Sequence, residues 1–301
     1  MIAALEPEGN RMDPVFDTEQ VLARRRRAFG QPVPGADFLM RHAAEDLALR
    51  LSTTGRTFSR GGVLHSLTGH ARDVLAASGK VETIVSVESD SGLPAHDTGT
   101  VESGPETVGL DGQSLDLAVT LLTLRDVNDT PGFLTQVRHA LKPDGLFLGA
   151  MTGAGTLAEL RESLLAAETE MTGGAAPRVH PFADVRTAGA LLQRAGFALP
   201  VTDFETLTVR YADALALMRD LRAMGATNAL AKRSRKPLRR DVLARAAEIY
   251  AERFSDADGR IRATFSIVWL SGWAPDPSQQ KPLKPGSASH SLADVLARQK
   301  K

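Results

Sequence analysis

Apolar runs and amphipathic stretches alternate along the first half of the chain. Residues 115–122 are apolar at nearly every position, which is typical of a strand buried on both faces of a parallel sheet. Shorter apolar runs predict strands at 62–67, 83–87 and 146–151, with a weak strand near 106–110. The remaining periodic stretches predict helices at 17–29, 37–51, 71–78 and 130–141.

The second half is richer in amphipathic helices. Apolar side chains recur there at helical spacing, which predicts helices at 156–169, 184–195, 212–224 and 241–254. Strands are predicted at 200–210 and at 261–270, where alternate residues are apolar. We interpret these two strands as a hairpin around inserted helices.

The alternation of strands and helices predicts an α/β fold with a doubly wound sheet. We divide the chain into N-terminal helices (1–56), a Rossmann-like core (57–155), the C-terminal half of the same domain (156–274) and a disordered tail (275–301). In such sheets, ligands bind at the carboxyl ends of the strands. Those ends are predicted at 67–69, 87–90, 122–125 and 150–155.

Composition excludes several functions. The 301 residues carry 36 Lys and Arg and 36 Asp and Glu, and this zero net charge argues against a general nucleic-acid or membrane-surface binder. The absence of cysteine excludes disulfides, thiolate metal sites and a cysteine nucleophile. No apolar stretch approaches the ~18 residues of a membrane span, and no group of His, Asp and Glu has metal-site spacing. We expect a cytoplasmic protein without a metal.

Charge is unevenly distributed along the chain. Residues 82–116 include eight acidic residues and no Lys or Arg, whereas residues 219–245 include nine basic and two acidic residues. Each run is consistent with a solvated face. The alternative is that the basic run meets an acidic partner or an anionic group of a substrate.

Several long motifs resemble one known family. These motifs are LDLAVTLLTLRDVNDTPGFLTQVRHALKPDGLFLGAMTGAGTLAELRESLLAAETE, PRVHPFADVRTAGALLQRAGFALPVTD, YADALALMRDLRAMGATNAL and SIVWLSGWAP. They are similar to methyltransferase-fold proteins that assist respiratory complex I assembly in mitochondria and alphaproteobacteria, relatives of the malonyl-carrier methyltransferases of biotin synthesis. The resemblance covers nearly the whole chain. It implies a class I methyltransferase fold, a seven-stranded sheet whose last strand is reversed, with helical insertions in the C-terminal half.

The same resemblance implies S-adenosylmethionine (SAM) as the cofactor. The family's first motif resembles LDLGCGxG, but here His65 stands at its acidic position and Leu67, Gly69 and Ala71 stand at its glycine positions. Glycine matters there because the backbone approaches the ligand with positive φ. The family's LHWVND becomes LRDVND at 124–129, without the aromatic residue. The implied cofactor-binding residues are Gly69, Glu88, Asp90, Glu106 and Leu122, with the Glu88 carboxylate accepting the ribose hydroxyls.

The substrate side matches the family more closely. The resemblance implies substrate-binding roles for Arg161, Arg178, Tyr211, Arg222 and Asn228, and Asp220 and Trp273 also match family positions. Each of these residues also has an ordinary structural interpretation, such as an ion pair, a turn or a packing contact. No catalytic residue is identified, because methyl transfer depends chiefly on holding a nucleophile in line with the methyl group.

Three functions stay open at this point. The chain is either a SAM-dependent methyltransferase acting on a protein, a catalytically degraded member that serves as an assembly or scaffold factor, or a carboxyl methyltransferase of a carrier protein. Some family members are linked to arginine hydroxylation instead. In the first two cases, the resemblance implies a protein partner of the respiratory complex I type.

Overall fold

A computed structural model describes residues 13–93 and 99–280 and contains one seven-stranded sheet. In order across the sheet, the strands are β3 (Val101–Glu102), β2 (Val81–Glu88), β1 (Phe58–Leu64), β4 (Leu115–Leu121), β5 (Leu141–Thr152), β7 (Ile261–Trp273) and β6 (Ala198–Tyr211). The strands β1 to β5 are mutually parallel, and β7 is antiparallel to both β5 and β6. This order confirms the predicted doubly wound sheet with a reversed strand.

Helices cover both faces of the sheet. Those in the described residues are α1 (Thr18–Gly30), α2 (Phe38–Thr53), α3 (His70–Ala77), α4 (Thr130–Ala140), α5 (Ala158–Thr172), α6 (Val185–Arg194), α7 (Ala214–Ala223) and α8 (Arg240–Phe254). Aspartates begin four of them, because each carboxylate accepts a hydrogen bond from the backbone N–H three residues later. These caps are Asp17, Asp129, Asp184 and Asp213.

Two apolar clusters form the core, one on each face of the sheet. The larger includes side chains of α2, α3, α5, α7 and α8, and the other includes side chains of α4 and α6. Helix α1 is attached differently. Phe16 and Val21 pack against Ala229 and Leu230 in a small separate cluster, and Phe29 packs against the large cluster. The N-terminal helix therefore reaches the main core at its C-terminal end, through Phe29.

The strand directions decide which residues share the ligand-binding edge. The carboxyl ends of β1, β2, β4 and β5 lie at one edge of the sheet. Tyr211 lies at this edge too, because β6 runs parallel to β5 through the reversed β7. Trp273 pairs with Leu146 near the start of β5, so it lies toward the opposite edge.

Three predicted segments differ from the structure. Strand β1 begins and ends earlier than predicted, because Ser59 and Arg60 are exposed and hide its start in the sequence. The weak strand near 106–110 is wrong: a turn closed by the hydrogen bond from Thr107 N to Gly104 O (2.9 Å) overlaps that segment, and the strand is β3. In the predicted disordered tail, Gln279 Nε2 donates to Asp144 Oδ1 at 2.9 Å, whereas residues 281–301 lie outside the described residues.

Candidate functional site

The loop after β1 keeps positive φ angles without the family's glycines. His65 and Leu67 have φ of 50° and 59°, in the region that disfavours side chains with a Cβ. Leu67 is only 4% exposed, so packing holds this conformation. Gly69 has φ of −70°, and a Cβ there would meet only Asp73 Oδ2, at 3.6 Å. Gly69, the glycine that remains from the family motif, is therefore at a position where the backbone conformation does not require glycine.

The predicted ribose-binding carboxylate at the end of β2 is closed to solvent. Glu88 is 0% exposed, and its Oε1 accepts a hydrogen bond from Leu67 N at 3.2 Å. Its Oε2 has no hydrogen-bond partner within the described ranges. Burial raises the pKa of Glu88 to about 7, although the Leu67 amide and the Arg25 charge act in the opposite direction. The substituted loop therefore covers this carboxyl group.

Other polar atoms near this loop are buried without a hydrogen-bond partner in the described part of the chain. They are His65 Nδ1, Thr68 Oγ1 and Ser89 Oγ. His65 Nε2 donates to Thr107 O at 2.8 Å, and burial lowers the pKa of His65 to about 4. Each unpaired buried group costs ~1–3 kcal/mol. Buried polar atoms without a partner are uncommon in a packed core, and Glu88 Oε2 is another of them at this edge.

A buried charge cluster follows β4. Arg25 Nη2 of α1 lies 3.0 Å from Asp126 Oδ2, and both side chains are buried. Arg125 Nε and His180 Nδ1 each lie 3.3 Å from an Asp126 oxygen. Burial alone would raise the pKa of Asp126, but the three positive or hydrogen-bonding partners hold it well below its usual range. Asp126 occupies the position of the missing family aromatic.

The other two predicted cofactor carboxylates also have partners within the chain. Asp90 forms an ion pair with Arg26 of α1, and its Oδ1 accepts a hydrogen bond from Gly92 N at 2.8 Å. Glu106 accepts hydrogen bonds from Asn128 N, Asn128 Nδ2 and Asp129 N at 3.0–3.1 Å. Glu106 therefore holds the loop between β4 and α4.

An open cavity of about 590 Å³ lies beside the closed region. Its walls are mostly apolar and include Gly69 and Leu122, two of the predicted cofactor residues. Glu88, Asp90 and Glu106 do not line it. The accessible part of the edge is thus the part next to β1 and β4, whereas the end of β2 is covered.

A second cavity of about 290 Å³ adjoins the first, because both are lined by Leu39, Arg125 and Met224. Two predicted substrate residues, Arg178 and Asn228, line this second cavity. The guanidinium of Arg178 is paired with Glu168, with Nη2 2.5 Å from Oε1, and Asn228 Nδ2 donates to the backbone at Pro177 O (2.8 Å).

The remaining predicted substrate residues lie apart from the two cavities. Arg161 Nη2 donates to His180 O at 2.7 Å, and its side chain lines a third cavity of about 410 Å³. Tyr211 donates its hydroxyl hydrogen to Asp220 Oδ2 at 2.6 Å, and burial together with this contact raises the pKa of Tyr211. Arg222 is exposed on α7. The structure therefore brings together only Arg178 and Asn228 of this set.

These residues do not fit SAM in the way that the family motif implies. A nucleoside at this edge requires a carboxylate that its ribose hydroxyls can reach. Glu88 is covered, Asp90 is paired with Arg26, and the oxygens of Glu106 hold a neighbouring loop. In the described part of the chain, no group of three or more His, Asp and Glu side chains is arranged to hold a metal ion.

Sequence reasoning missed Arg25, Asp126 and His180, which form a buried charge cluster at this edge. One signal was present: residues 24–27 are four consecutive arginines on a predicted amphipathic helix, so at least one has to turn toward the protein. The partner of that arginine was not deducible, because Arg25 and Asp126 are separated by 101 residues.

No protein-family model matches the chain, but curated proteins do. It is 36% identical over 267 residues to the arginine-hydroxylase NDUFAF5, mitochondrial, of Danio rerio, covering 86% of this chain and 82% of that protein. The human protein of the same name is 34% identical over 290 residues, covering 93% and 83%. A malonyl-[acyl-carrier protein] O-methyltransferase of Laribacter hongkongensis is 35% identical over 181 residues, covering 60% and 58%.

Solved structures support the fold. A candidate methyltransferase of Bacillus halodurans superposes with a TM-score of 0.52 at 12% identity, covering 77% of this chain and 98% of that one. The YcgJ protein of Bacillus subtilis gives a TM-score of 0.52 at 14% identity, covering 78% and 99%. At these identities the likeness establishes the α/β fold alone.

One finding concerns membrane-spanning helices, and another concerns the cellular compartment. Among residues 13–93 and 99–280, no helix has the length and apolar character needed to cross a membrane. The expectation of a cytoplasmic protein is wrong, because the curated relatives are mitochondrial. The identity to these relatives extends over most of both chains, so the chain belongs to the methyltransferase-fold family that includes the NDUFAF5 proteins.

Proposed function

We propose that this chain is an assembly factor for a respiratory complex I-type enzyme, and that it works as a protein-binding module without SAM at the end of β2. The family resemblance supplies the complex I context. The relatives' name, arginine-hydroxylase, adds an arginine-bearing protein as the class of partner. The adjoining apolar cavities offer a surface at which side chains of such a partner can bind.

One observation carries this proposal: the carboxyl group of Glu88 is fully buried and accepts its hydrogen bond from the Leu67 amide. A ribose-binding carboxylate has to be reachable by the ligand. A carboxyl group with a pKa of about 7 is also partly protonated near neutral pH, which weakens it as an acceptor for hydroxyl groups.

The test replaces Glu88 by its neutral isostere in cells whose own copy of the gene is deleted. We expect Glu88→Gln to support assembly of complex I at the wild-type level, measured as the amount of the mature complex on native gels. Glu102→Gln is the matched control, because Glu102 pairs with Glu88 across β2 and β3 but is exposed. Loss of assembly with Glu88→Gln alone, in a protein that accumulates normally, would overturn the proposal.

The second candidate is a SAM-dependent methyltransferase acting on a protein. The observation that favours it is the open cavity next to Gly69 and Leu122, at the part of the edge where the family binds its cofactor. This candidate predicts that transfer of a labelled methyl group from SAM to complex I subunits disappears in the deletion strain and returns with the wild-type gene. Methyl-ester formation on an acyl-carrier protein tests the carrier-protein alternative in the same assay.

A further inference from the structure

We propose that a basic surface beside the N-terminal helix binds an acidic segment of the partner protein. The basic surface consists of Arg24 and Arg27 on α1 and of Arg233, Arg235 and Lys236 in the segment between α7 and α8. This inference rests on the proposed function, because it takes the chain to be a protein-binding module. It adds where the partner docks and which charge the docking segment carries.

The fold brings two basic runs of the sequence side by side. Residues 24–27 and 232–236 are both rich in Arg and Lys, although they lie far apart along the chain. Just before α1, Phe16 forms an antiparallel bridge with Leu230, and both side chains pack in the small separate cluster. This contact fixes the start of α1 against the segment that carries the second basic run.

Contacts around Asp17 place charges from both runs close together. Asp17 precedes α1, and its Oδ2 lies 3.0 Å from Arg233 Nη1 and 3.8 Å from Arg235 Nη2. Its other carboxylate oxygen accepts the hydrogen bond that caps the helix. Burial lowers the pKa of Arg24, and the positive charges of Arg233 and Arg27 lower it further. The arginines of α1 and of the later segment therefore repel one another across a shared surface.

The basic surface carries more positive charge than its surroundings compensate. Arg233 and Arg235 share the single carboxylate of Asp17. The other three members of the basic surface form no ion pair within the described residues. In the same ranges, Nη1 of Arg24 is buried without a hydrogen-bond partner. A buried donor on a charged group is costly to leave unpaired, and carboxylates of a partner would supply the missing acceptors.

An acidic protein segment fits this surface better than a membrane or a nucleic acid does. The chain as a whole has zero net charge, so the basic surface is a local feature and not a general polyanion-binding face. It also continues into the proposed binding region, because Ala28 and Phe29 follow Arg27 on α1 and line the first cavity. One protein segment can therefore place apolar side chains in that cavity and carboxylates on the basic surface.

The first experiment measures the binding of labelled peptides to the full chain by fluorescence anisotropy. The probe is a peptide of glutamate and leucine, and its counterpart has lysine in place of every glutamate. The triple variant removes charges of the basic surface: Arg24→Gln/Arg27→Gln/Arg235→Gln. The matched control removes the same charge from exposed arginines outside that surface: Arg186→Gln/Arg194→Gln/Arg260→Gln.

We expect the triple variant to bind the acidic peptide about tenfold more weakly than the wild type, because several surface charge contacts are lost together. The control should bind this peptide as the wild type does, and wild-type binding should weaken as the salt concentration rises. Equal binding of the acidic peptide by the wild type and the triple variant would overturn the proposal.

A charge reversal separates a direct contact from a loss of folding. Arg27→Glu/Arg235→Glu changes two exposed side chains and leaves the half-buried Arg24 in place. We expect this variant to lose the acidic peptide and to gain the lysine peptide, which a misfolded chain would not do. If the variant matches the wild type in circular dichroism and thermal melting but does not gain the lysine peptide, the proposal is wrong.

Vesicles of phosphatidylcholine and phosphatidylglycerol test a membrane as the other occupant. If the triple variant loses vesicle binding but keeps the acidic peptide, the basic surface binds lipid and the proposal is wrong. We expect the reverse: the triple variant loses the peptide, and neither it nor the control differs from the wild type in vesicle binding.

Assembly in the deletion cells separates this proposal from the proposed function. We expect the triple variant to lower the amount of mature complex I on native gels, with no change for the control. If the triple variant supports assembly at the wild-type level, the basic surface is not the docking site, and the proposed function stands on the result for Glu88→Gln. If the peptides bind as expected but Glu88→Gln abolishes assembly, the basic surface stands and the SAM-free function is wrong.

Discussion

The two halves of the ligand-binding edge differ in accessibility and in charge. At the ends of β2 and β3, Glu88 is buried, Asp90 is paired with Arg26 of α1, and Glu106 holds a neighbouring loop. Next to β1, β4 and β5, the adjoining cavities are open and mostly apolar, and the second of them is lined by Arg178 and Asn228. Departures from the family motifs bear on both halves, because Leu67 and Arg125 line the first cavity and the Leu67 amide also reaches the buried Glu88.

This difference shows how acidic groups at a ligand-binding edge are paired within the chain. A Rossmann-like edge places carboxylates where a ligand would normally pair with them, and without that ligand they need other partners. Here arginines of α1 and backbone amides supply that pairing. The predictions below test whether these contacts hold the closed half together and whether the open half is independent of them.

The largest expected effect comes from removing the anion of the buried cluster. Asp126→Leu leaves the buried Arg25 and the partly buried Arg125 without their shared carboxylate, and removing one partner of a buried pair costs ~3–5 kcal/mol. We expect a loss of that size in the free energy of unfolding, measured by urea denaturation. The control is Asp203→Asn, which removes an exposed ion pair with Arg50 and costs at most ~1 kcal/mol. Equal losses would mean that the buried cluster does not stabilise the closed half.

The second prediction concerns the pH dependence that Glu88 imposes on stability. Its pKa is about 7 in the folded chain against an ordinary 4.5, so the folded state binds the proton more tightly. The stabilisation that comes from this bound proton is therefore complete below pH 4.5 and is lost as the pH rises through 7. The Glu88→Gln variant lacks this loss. We expect its stability relative to the wild type to rise by ~3 kcal/mol between pH 4.5 and 7, measured by urea denaturation.

His65 acts in the opposite direction and has to be separated from Glu88. Its pKa is about 4 in the folded chain against 6.5, so stability from this group is lost as the pH falls through that window. In the wild type, the pH dependences of stability that come from Glu88 and His65 partly cancel. The Glu88→Gln variant therefore shows the pH dependence that comes from His65. A difference between variant and wild type that does not change with pH would contradict the buried, raised pKa of Glu88.

The third prediction restores one glycine of the family motif. Leu67→Gly relieves a left-handed backbone that costs ~1–2 kcal/mol, but it removes a buried side chain whose loss costs ~2–5 kcal/mol. We expect a net loss of ~1–3 kcal/mol in the free energy of unfolding by urea. A gain in stability would mean that Leu67 packs poorly and that the loop is held closed by other contacts.

The smallest effect is expected at the retained glycine. Gly69→Ala adds a Cβ at φ of −70° where only Asp73 Oδ2 lies near, at 3.6 Å. We expect the unfolding free energy to change by less than ~0.5 kcal/mol and complex I assembly to stay at its wild-type level. If the assembly falls while the protein remains as stable, a ligand approaches this backbone closely and the open half has a cofactor role.

The sheet was predictable because its strongest signals are local. The continuous apolar run at 115–122 marks the central strand β4, and amphipathic spacing marks the helices within a few residues. Strand β1 was placed too late, because its exposed Ser59 and Arg60 look like a loop and its apolar run continues past the last paired residue. Packing against neighbouring strands decides such boundaries, and packing is not visible in a local pattern.

The site was less predictable because its key contacts are long-range. Glu88 was recognisable as a carboxylate at a strand end, but its burial depends on how the loop at Leu67 packs over it. In the sequence, position 126 was noticed only because the family's aromatic residue is missing there. The buried ion pair of Asp126 was not foreseen. The four arginines at 24–27 gave no indication of which one is buried. Pairings over such distances in sequence follow from tertiary structure.

The most direct test of the closed half is the affinity of the wild-type chain for SAM, measured by equilibrium dialysis with labelled cofactor. If Glu88 and Asp90 are engaged within the chain as described, the dissociation constant exceeds ~1 mM and does not change with Glu88→Gln. A dissociation constant below ~100 μM that Glu88→Gln weakens by tenfold or more would contradict this account, because it would place the ribose on that carboxylate.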